Sequence, residues 1–149
     1  MKKLIVFLLI IVFISITSFA KNSQNPLFYF DDVNRVCLVV DAGSLDGEVI
    51  NCGNKDFVYC SKEDALEKIN NSKIYAKQFY FDDVNLKEIL SVLNADIVST
   101  QEFEDLKIYY CYTPYEQDCV YIENKKVNLQ IVFKSNEIVA GLPLILTGY

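Results

Sequence analysis

Phe79-Tyr80-Phe81-Asp82-Asp83-Val84-Asn85-Leu86-Lys87-Glu88-Ile89-Leu90-Ser91-Val92-Leu93 is the stretch on which the fold of this chain turns. An aromatic run of strand character passes through two aspartates into a segment whose Leu86, Ile89, Leu90 and Leu93 fall at i, i+3, i+4 and i+7, one apolar helical stripe. Asp83 stands where a carboxylate can accept from the free N–H groups of a first helical turn and meet the positive end of the helix dipole. Two further strands are expected at 96–100 and 106–112. In the second, alternation puts Ile108, Tyr110 and Tyr112 on one face and Tyr109 and Cys111 on the other.

Upstream, Leu27-Phe28-Tyr29-Phe30 reads as a strand, followed by strands at 35–40, 48–52 and 56–60 with turn signals at Asp41-Ala42-Gly43-Ser44, Asp46-Gly47 and Gly53-Asn54-Lys55. Ser61 with Asp64 three positions on forms a capping pair, predicting a helix over 62–70 with Ala65, Leu66 and Ile69 inward. Downstream, 113–118 is a turn-rich tip, 119–123 a strand and 124–126 a turn. Val127, Leu129, Ile131 and Phe133 alternate onto one face of the next strand, and a hairpin turn at 134–137 leads into 138–142. Pro143 cannot donate to a ladder, so that last strand should lie at a sheet edge or end there. The fold class expected is α+β: an antiparallel sheet with two helices packed on one face, in a single domain at 27–149 preceded by an N-terminal signal peptide.

Phe28-Tyr29-Phe30-Asp31-Asp32-Val33-Asn34 recurs unchanged as Phe79 to Asn85, and the same offset of 51 lays Tyr59-Cys60 over Tyr110-Cys111. Duplication of a half-domain, with repeats at 28–78 and 79–149, is one explanation; two strand ends using similar aromatic and capping residues is the other.

Met1-Lys2-Lys3 precedes an apolar core at 4–16, and Ser18 and Ala20 supply the small residues of a signal-peptidase site. The flanks favour a cleaved signal peptide at 1–20 over an uncleaved signal anchor, with 21–26 as a linker; either places the body outside the cytoplasm, secreted or membrane-anchored by residues 4–20. The leader carries two of the 14 basic residues and none of the 20 acidic ones, so its removal takes the net charge from −6 to −8. That balance argues against nucleic acid, whose phosphates are bound by clustered Lys and Arg. It also argues against docking on anionic lipid, leaving the N-terminal segment, if uncleaved, as the membrane contact. Lys, Asn and Ile content fits an AT-rich bacterial genome.

All five cysteines lie in the exported part, where disulfides are stable. Cys52/Cys60 and Cys111/Cys119 each have seven residues between partners, so two bridges with Cys37 free is one reading and small buried hydrophobes the other. Ser-His and Cys-His catalysis in its usual form is excluded, since the chain has no histidine. No metal ligand set or cofactor motif is present: there is no close Cys-x-x-Cys pair, no glycine-rich phosphate loop, and Asp41–Glu48 has Gly43 and Leu45 where an EF-hand loop needs oxygen ligands. The aspartate pairs Asp31/Asp32 and Asp82/Asp83 are explained by capping and exposure better than by acid–base chemistry. The tip holds the remaining candidates: Tyr109, Tyr112, Thr113, Pro114 and Tyr115 as an interaction surface, tyrosine being rigid, amphipathic and favoured in interfaces. The competing view is that these rings cover a small core.

Phe79-Tyr80-Phe81-Asp82-Asp83-Val84-Asn85-Leu86-Lys87-Glu88-Ile89-Leu90 resembles the opening of the short N-terminal domain of secretins and TonB-dependent receptors over some thirty residues, without the second strand–helix unit of that domain. Lys126-Val127-Asn128-Leu129-Gln130-Ile131-Val132-Phe133 and Gly141-Leu142-Pro143-Leu144-Ile145-Leu146-Thr147-Gly148-Tyr149 resemble the end of the YwmB-like secreted proteins of Firmicutes, called TATA-box-binding-like for their fold. This second resemblance covers the C-terminal half and brings no catalytic residues; its label does not imply DNA binding here, since the chain is acidic and expected to be exported. The function expected is an exported non-catalytic module of the bacterial cell envelope acting through protein–protein contacts, with an envelope protein as partner, the tyrosine tip and the β-edge near Pro143 as surfaces. The alternatives are a thiol- or carboxylate-based extracytoplasmic enzyme and a membrane-tethered sensor domain.

Overall fold

The computed structural model describes residues 25–135 and 137–147. The leader expected at 1–20 and the linker up to residue 24 lie outside the described residues. The remainder of the linker is built into the fold: Asn25 is buried and its side chain accepts from Leu27 N at 3.0 Å, capping a short 3-10 helix at Pro26–Tyr29. This corrects the strand expected at Leu27-Phe28-Tyr29-Phe30. Pro26 begins the helix, its fixed φ suiting the first turn and its missing N–H needing no partner there.

Ten strands and two α-helices follow: β1 (Val33–Asp41), β2 (Glu48–Cys52), β3 (Lys55–Cys60), α1 (Lys62–Asn71), β4 (Ala76–Phe81), α2 (Leu86–Val92), β5 (Asp96–Glu102), β6 (Leu106–Tyr112), β7 (Val120–Ile122), β8 (Lys125–Val127), β9 (Leu129–Lys134) and β10 (Glu137–Leu142). Eight strands form one antiparallel sheet in the order β2-β3-β1-β4-β10-β9-β6-β5, and β7-β8 is a separate ribbon. The α+β class therefore holds. Strand β10 is central, flanked by β4 and β9. The edge near Pro143 that sequence suggested does not exist; proline instead ends the strand at Leu142, so no ladder donor is lost from it. The sheet's edges are β2 and β5.

Register explains the core. Cys60, Val36, Phe79, Ala140, Ile131 and Tyr109 lie side by side across six strands on one face. Against that face pack Ala65, Leu66 and Ile69 of α1, Leu86, Ile89 and Leu90 of α2 with Leu93 just after it, and Leu27, Phe28 and Phe30 of the 3-10 segment. The two copies of the heptapeptide meet here. Phe28 packs edge-on against Phe79 at 4.9 Å and Phe30 against Phe81 at 5.6 Å, each joining counterparts in the repeat. Such ring pairs contribute about 0.5–1.5 kcal/mol beyond the area they bury. Asp82 N donates to Asp32 O, and Asn34 Nδ2 to the Asp82 carboxylate.

Helix α1 is capped as expected, Ser61 Oγ accepting from Asp64 N. Helix α2 is not capped by Asp83. It starts at Leu86, and Asn85 accepts from Glu88 N at 2.9 Å while its own amide lies 3.4 Å from the Glu88 carboxylate. Val84 and Ile89, both buried, bracket this cap as a hydrophobic staple. Asp83 sits two residues too early to reach the first turn. The single strand expected over 127–133 is divided, because Asn128 interrupts the ladder between β8 and β9. We expect Asn85→Ala to lower the unfolding free energy by about 1 kcal/mol and Asp83→Ala to leave it within about 0.5 kcal/mol, measured by urea titration; the reverse ranking would put the cap back at Asp83.

Candidate functional site

The tip loop between β6 and β7 is held by two buried side chains, Asn128 and Thr113. Asn128 accepts from Thr113 N at 2.7 Å through Oδ1, and its amide donates to Thr113 O at 2.8 Å and Glu116 O at 2.7 Å. Thr113 is buried too; its hydroxyl donates to Leu93 O at 2.6 Å, fastening the loop to the end of α2, and accepts from Tyr115 N. Lys77 of β4 pairs with Glu116 at 2.9 Å, tying the loop to the sheet. A loop whose backbone groups are satisfied in this way presents fixed, not wandering, side chains.

The five residues predicted as an interaction surface are therefore divided. Tyr112 (39% exposed), Pro114 and Tyr115 (49% exposed) face solvent. Thr113 is buried and structural, and Tyr109, half-buried, packs edge-on against Phe133 at 5.9 Å with one side against the core. Tyr121, on the ribbon, is 65% exposed and belongs with the exposed group on exposure alone. The alternation expected along β6 holds in the register: Tyr110 faces Gln130 and Ser99, and Tyr109 faces Ile131 and Thr100. Asn128, which organises the loop, has no sequence signature beyond a polar residue inside an apolar alternation.

The helix-free face of the sheet carries a second grouping that sequence did not single out. Arg35 places its guanidinium 4.9 Å from the Tyr59 ring and 4.5 Å from the Tyr80 ring, with Glu137 at 3.9 Å. Beneath them Cys37 is buried, and burial pushes its thiol from an ordinary 9.0 up to about 12. Burial likewise raises the Tyr59 and Tyr80 hydroxyls. Residues 143–147 fold back over this face: Ile145 N donates to Gln130 Oε1 at 3.0 Å, and Thr147 donates to Gln78 Oε1 through Oγ1 at 2.9 Å and through N at 3.4 Å.

All five cysteines are free thiols in the structure. Register separates Cys52 from Cys60: Cys52 faces Lys55 across the hairpin, while Cys60 lies five residues further along β3. That is roughly 16 Å at about 3.3 Å per residue, against the usual separation of about 4.4–6.8 Å for bridged Cα atoms. A spacing of seven closes a hairpin only when the turn is central, and here Gly53 turns the chain immediately after Cys52. Cys111 faces Ile97 and Leu129 in the core, where burial raises its thiol to about 12; Cys119 is half-buried just before β7. The aspartate pairs meet at the repeat contact but are exposed except Asp32's backbone link to Asp82, and they line neither of the described cavities. An open depression of about 260 Å³ lies at the β5–β6 turn, lined by Glu102, Glu104, Asp105 and Lys107 among others. Among the described residues no group of three or more Cys, Asp or Glu is placed to hold a metal ion, and no helix is long and apolar enough to cross a membrane.

Comparison of the chain with protein-family models, with curated proteins and with solved structures finds no match in any of the three.

Asn128→Ala removes three hydrogen bonds to loop backbone groups, two of them buried, and we expect it to lower the unfolding free energy by about 2–4 kcal/mol, with the loop losing amide-exchange protection first. The thiols set a pH dependence. Between pH 9 and 12 the unfolded chain releases protons from Cys37 and Cys111 that the folded chain retains, so stability falls as pH rises from 9. The expected slope is up to about 1.4 kcal/mol per pH unit for each thiol, and Cys37→Ala with Cys111→Ala should flatten it in alkaline melting curves. At pH 8 exposed Cys52 should react with a thiol reagent at once while those two wait for unfolding.

Proposed function

We propose that this chain is an exported, non-catalytic α+β module of the bacterial cell envelope that acts through protein contacts at the tyrosine loop. The observation that carries this is the pairing of exposure with rigidity. Tyr112 and Tyr115 offer aromatic area to solvent from a loop pinned by Asn128 and Thr113, so little ordering entropy opposes a partner that covers them. Beside them runs β5, an outer strand whose free edge can take one more strand from a partner, and Asp96 of β5 pairs directly with Tyr112. The bulge between Ile97 and Ser99 interrupts that edge and restricts where an added strand can register.

A thiol or carboxylate enzyme is less well supported. The two buried thiols are held protonated by desolvation, which removes the nucleophilic form. The carboxylate of Asp82 is engaged by Asn34 at the surface. Export rests on the leader and its small residues at Ser18 and Ala20. Cleavage there makes the chain a released module; retention makes it a tethered one.

Tyr112→Ser with Tyr115→Ser should leave the melting temperature within about 2–4 °C of the parent, since both rings are exposed, while abolishing cross-links formed from a photoreactive residue at Pro114 in intact envelopes. A large fall in melting temperature would make the rings part of the core instead. N-terminal sequencing of the envelope-localised protein should begin at Lys21; recovery of the intact chain in the cytosol would defeat the export half of the proposal.

A further inference from the structure

On the helix-free face, Gln78 of β4, Gly141 of β10 and Gln130 of β9 are neighbours in one cross-strand row. Two glutamine side chains stand on either side of a position without a side chain. Strands lie about 4.8 Å apart, so the two glutamines flank a slot of about 10 Å whose floor is the Gly141 backbone. The segment that fills that slot is the chain's own, residues 144–147. Its contacts to the glutamines use main-chain donors: the backbone N–H of Ile145 donates to Gln130 Oε1 and that of Thr147, two positions on, to Gln78 Oε1. Ile145 sits directly on Gly141, where an added Cβ would come within 2.6 Å of its nitrogen and its Cγ1. The Thr147 hydroxyl is shared between Gln78 and Tyr80, at 2.9 and 3.2 Å. The contacts thus read backbone amides at two alternate positions, one aliphatic side chain and one hydroxyl.

The resident segment does not satisfy the slot. Gln78 is 0% exposed, and its Nε2 has no hydrogen-bond partner while its Oε1 is used by Thr147. The Cys37 thiol lies close enough to be influenced by this amide but does not meet it with hydrogen-bonding geometry. A buried amide donor left unpaired beside a bound segment marks a position where a different segment can place a carbonyl or hydroxyl oxygen. Beside the segment a small cavity of about 20 Å³, bounded by Tyr80, Val132, Val139, Ile145 and Thr147, leaves room for such adjustment.

We propose that this slot is a peptide-docking site, occupied in cis by residues 144–147 and in trans by an extended segment of a partner protein that carries a β-branched aliphatic residue and, two positions later, serine or threonine. The cis segment is then a competitor held at high local concentration, and it sets the threshold a partner must exceed. This deepens the protein-contact proposal by naming a second surface and the chemistry of its ligand, and it rests on that proposal only in requiring a protein partner.

The test uses the full chain and a fluorescein-labelled peptide of sequence Leu-Pro-Leu-Ile-Leu-Thr-Gly-Tyr, identical to residues 142–149. Ile145→Asp with Thr147→Ala, both in the resident segment and not in the slot, should free the site. Anisotropy titration should show this variant binding the peptide at least about 10-fold more tightly than the parent, the factor expected when the competent state rises from a tenth to nearly all of the population. Adding Gln130→Ala to the freed variant, or replacing the peptide's isoleucine by aspartate, should remove the gain. A freed variant that melts cooperatively yet binds no peptide overturns the proposal, as does a parent protein that dimerises by exchanging this segment while excluding the peptide. Should the freed variant not fold, the parent titrated with unlabelled peptide to millimolar concentration takes its place: NMR shifts at the Gln78, Gln130 and Tyr80 positions support the site, and their absence overturns it. A silent slot leaves the tyrosine-loop proposal standing, because that is read from different residues.

Discussion

Strand β4 has almost no access to solvent, and the rest of the fold follows from covering it. Five of its six residues are buried, with Lys77 alone reaching outward to pair with Glu116. Phe79 and Phe81 face the helical layer, Gln78 and Tyr80 the opposite one. A strand buried on both faces with ladder neighbours on both sides needs two separate covers, and different segments of the chain supply them. The 3-10 segment at Pro26–Tyr29 joins α1 and α2 over the phenylalanines, and residues 143–147 lie across Gln78 and Tyr80. Polar residues on the second face are tolerated there because the returning segment meets their carbonyl oxygens, Ile145 N donating to Gln130 and Thr147 to Gln78.

The same accounting of polar groups shapes the far end of the sheet. The loop after β6 leaves the ladder close to the core, so its backbone groups must find partners away from water. Asn128 provides three of them from a point where β8 gives way to β9, and Thr113 carries the connection to α2. Rigidity of the tyrosine loop is thus a by-product of burying its stem. The two surfaces proposed for partner contact differ accordingly: one is an exposed aromatic loop on a fixed base, the other a polar slot already holding a segment of the chain.

Much of this was legible in residue pattern. The i, i+3, i+4, i+7 leucines and isoleucine of α2, the Ser61 cap of α1 and the alternation along β6 and β9 each depend on neighbours within a few residues, and each appears where expected. The α2 cap is legible in kind but not in place: Asn85 and Glu88 form the capping pair, although Asp83 is the more conspicuous carboxylate before the helix. What was not legible depended on distant partners. The central place of β10 is set by pairing with β4, about sixty residues earlier in the chain. The Cys52–Cys60 spacing suits a bridge only if the turn between them is central, and the turn's position is set by the pairing of β2 with β3. Thr113 and Tyr109 lie beside Tyr112 and Tyr115 in sequence, but Thr113 is buried and Tyr109 half-buried against the core.

The heptapeptide Phe-Tyr-Phe-Asp-Asp-Val-Asn marks the boundary between the two kinds of information. By itself the sequence determined that both copies would bury their phenylalanines and expose their aspartates, because those preferences belong to the side chains; in both copies the phenylalanines are buried and both aspartates exposed. It did not determine conformation: residues 28–34 run from a 3-10 turn into β1, and residues 79–85 run from β4 to the cap of α2. Tertiary structure decided that difference. Residues 79–81 had ladder partners on both sides, in β1 and β10, whereas residues 28–30 lay over a sheet already complete at that point and could bury their rings only by packing on it from above.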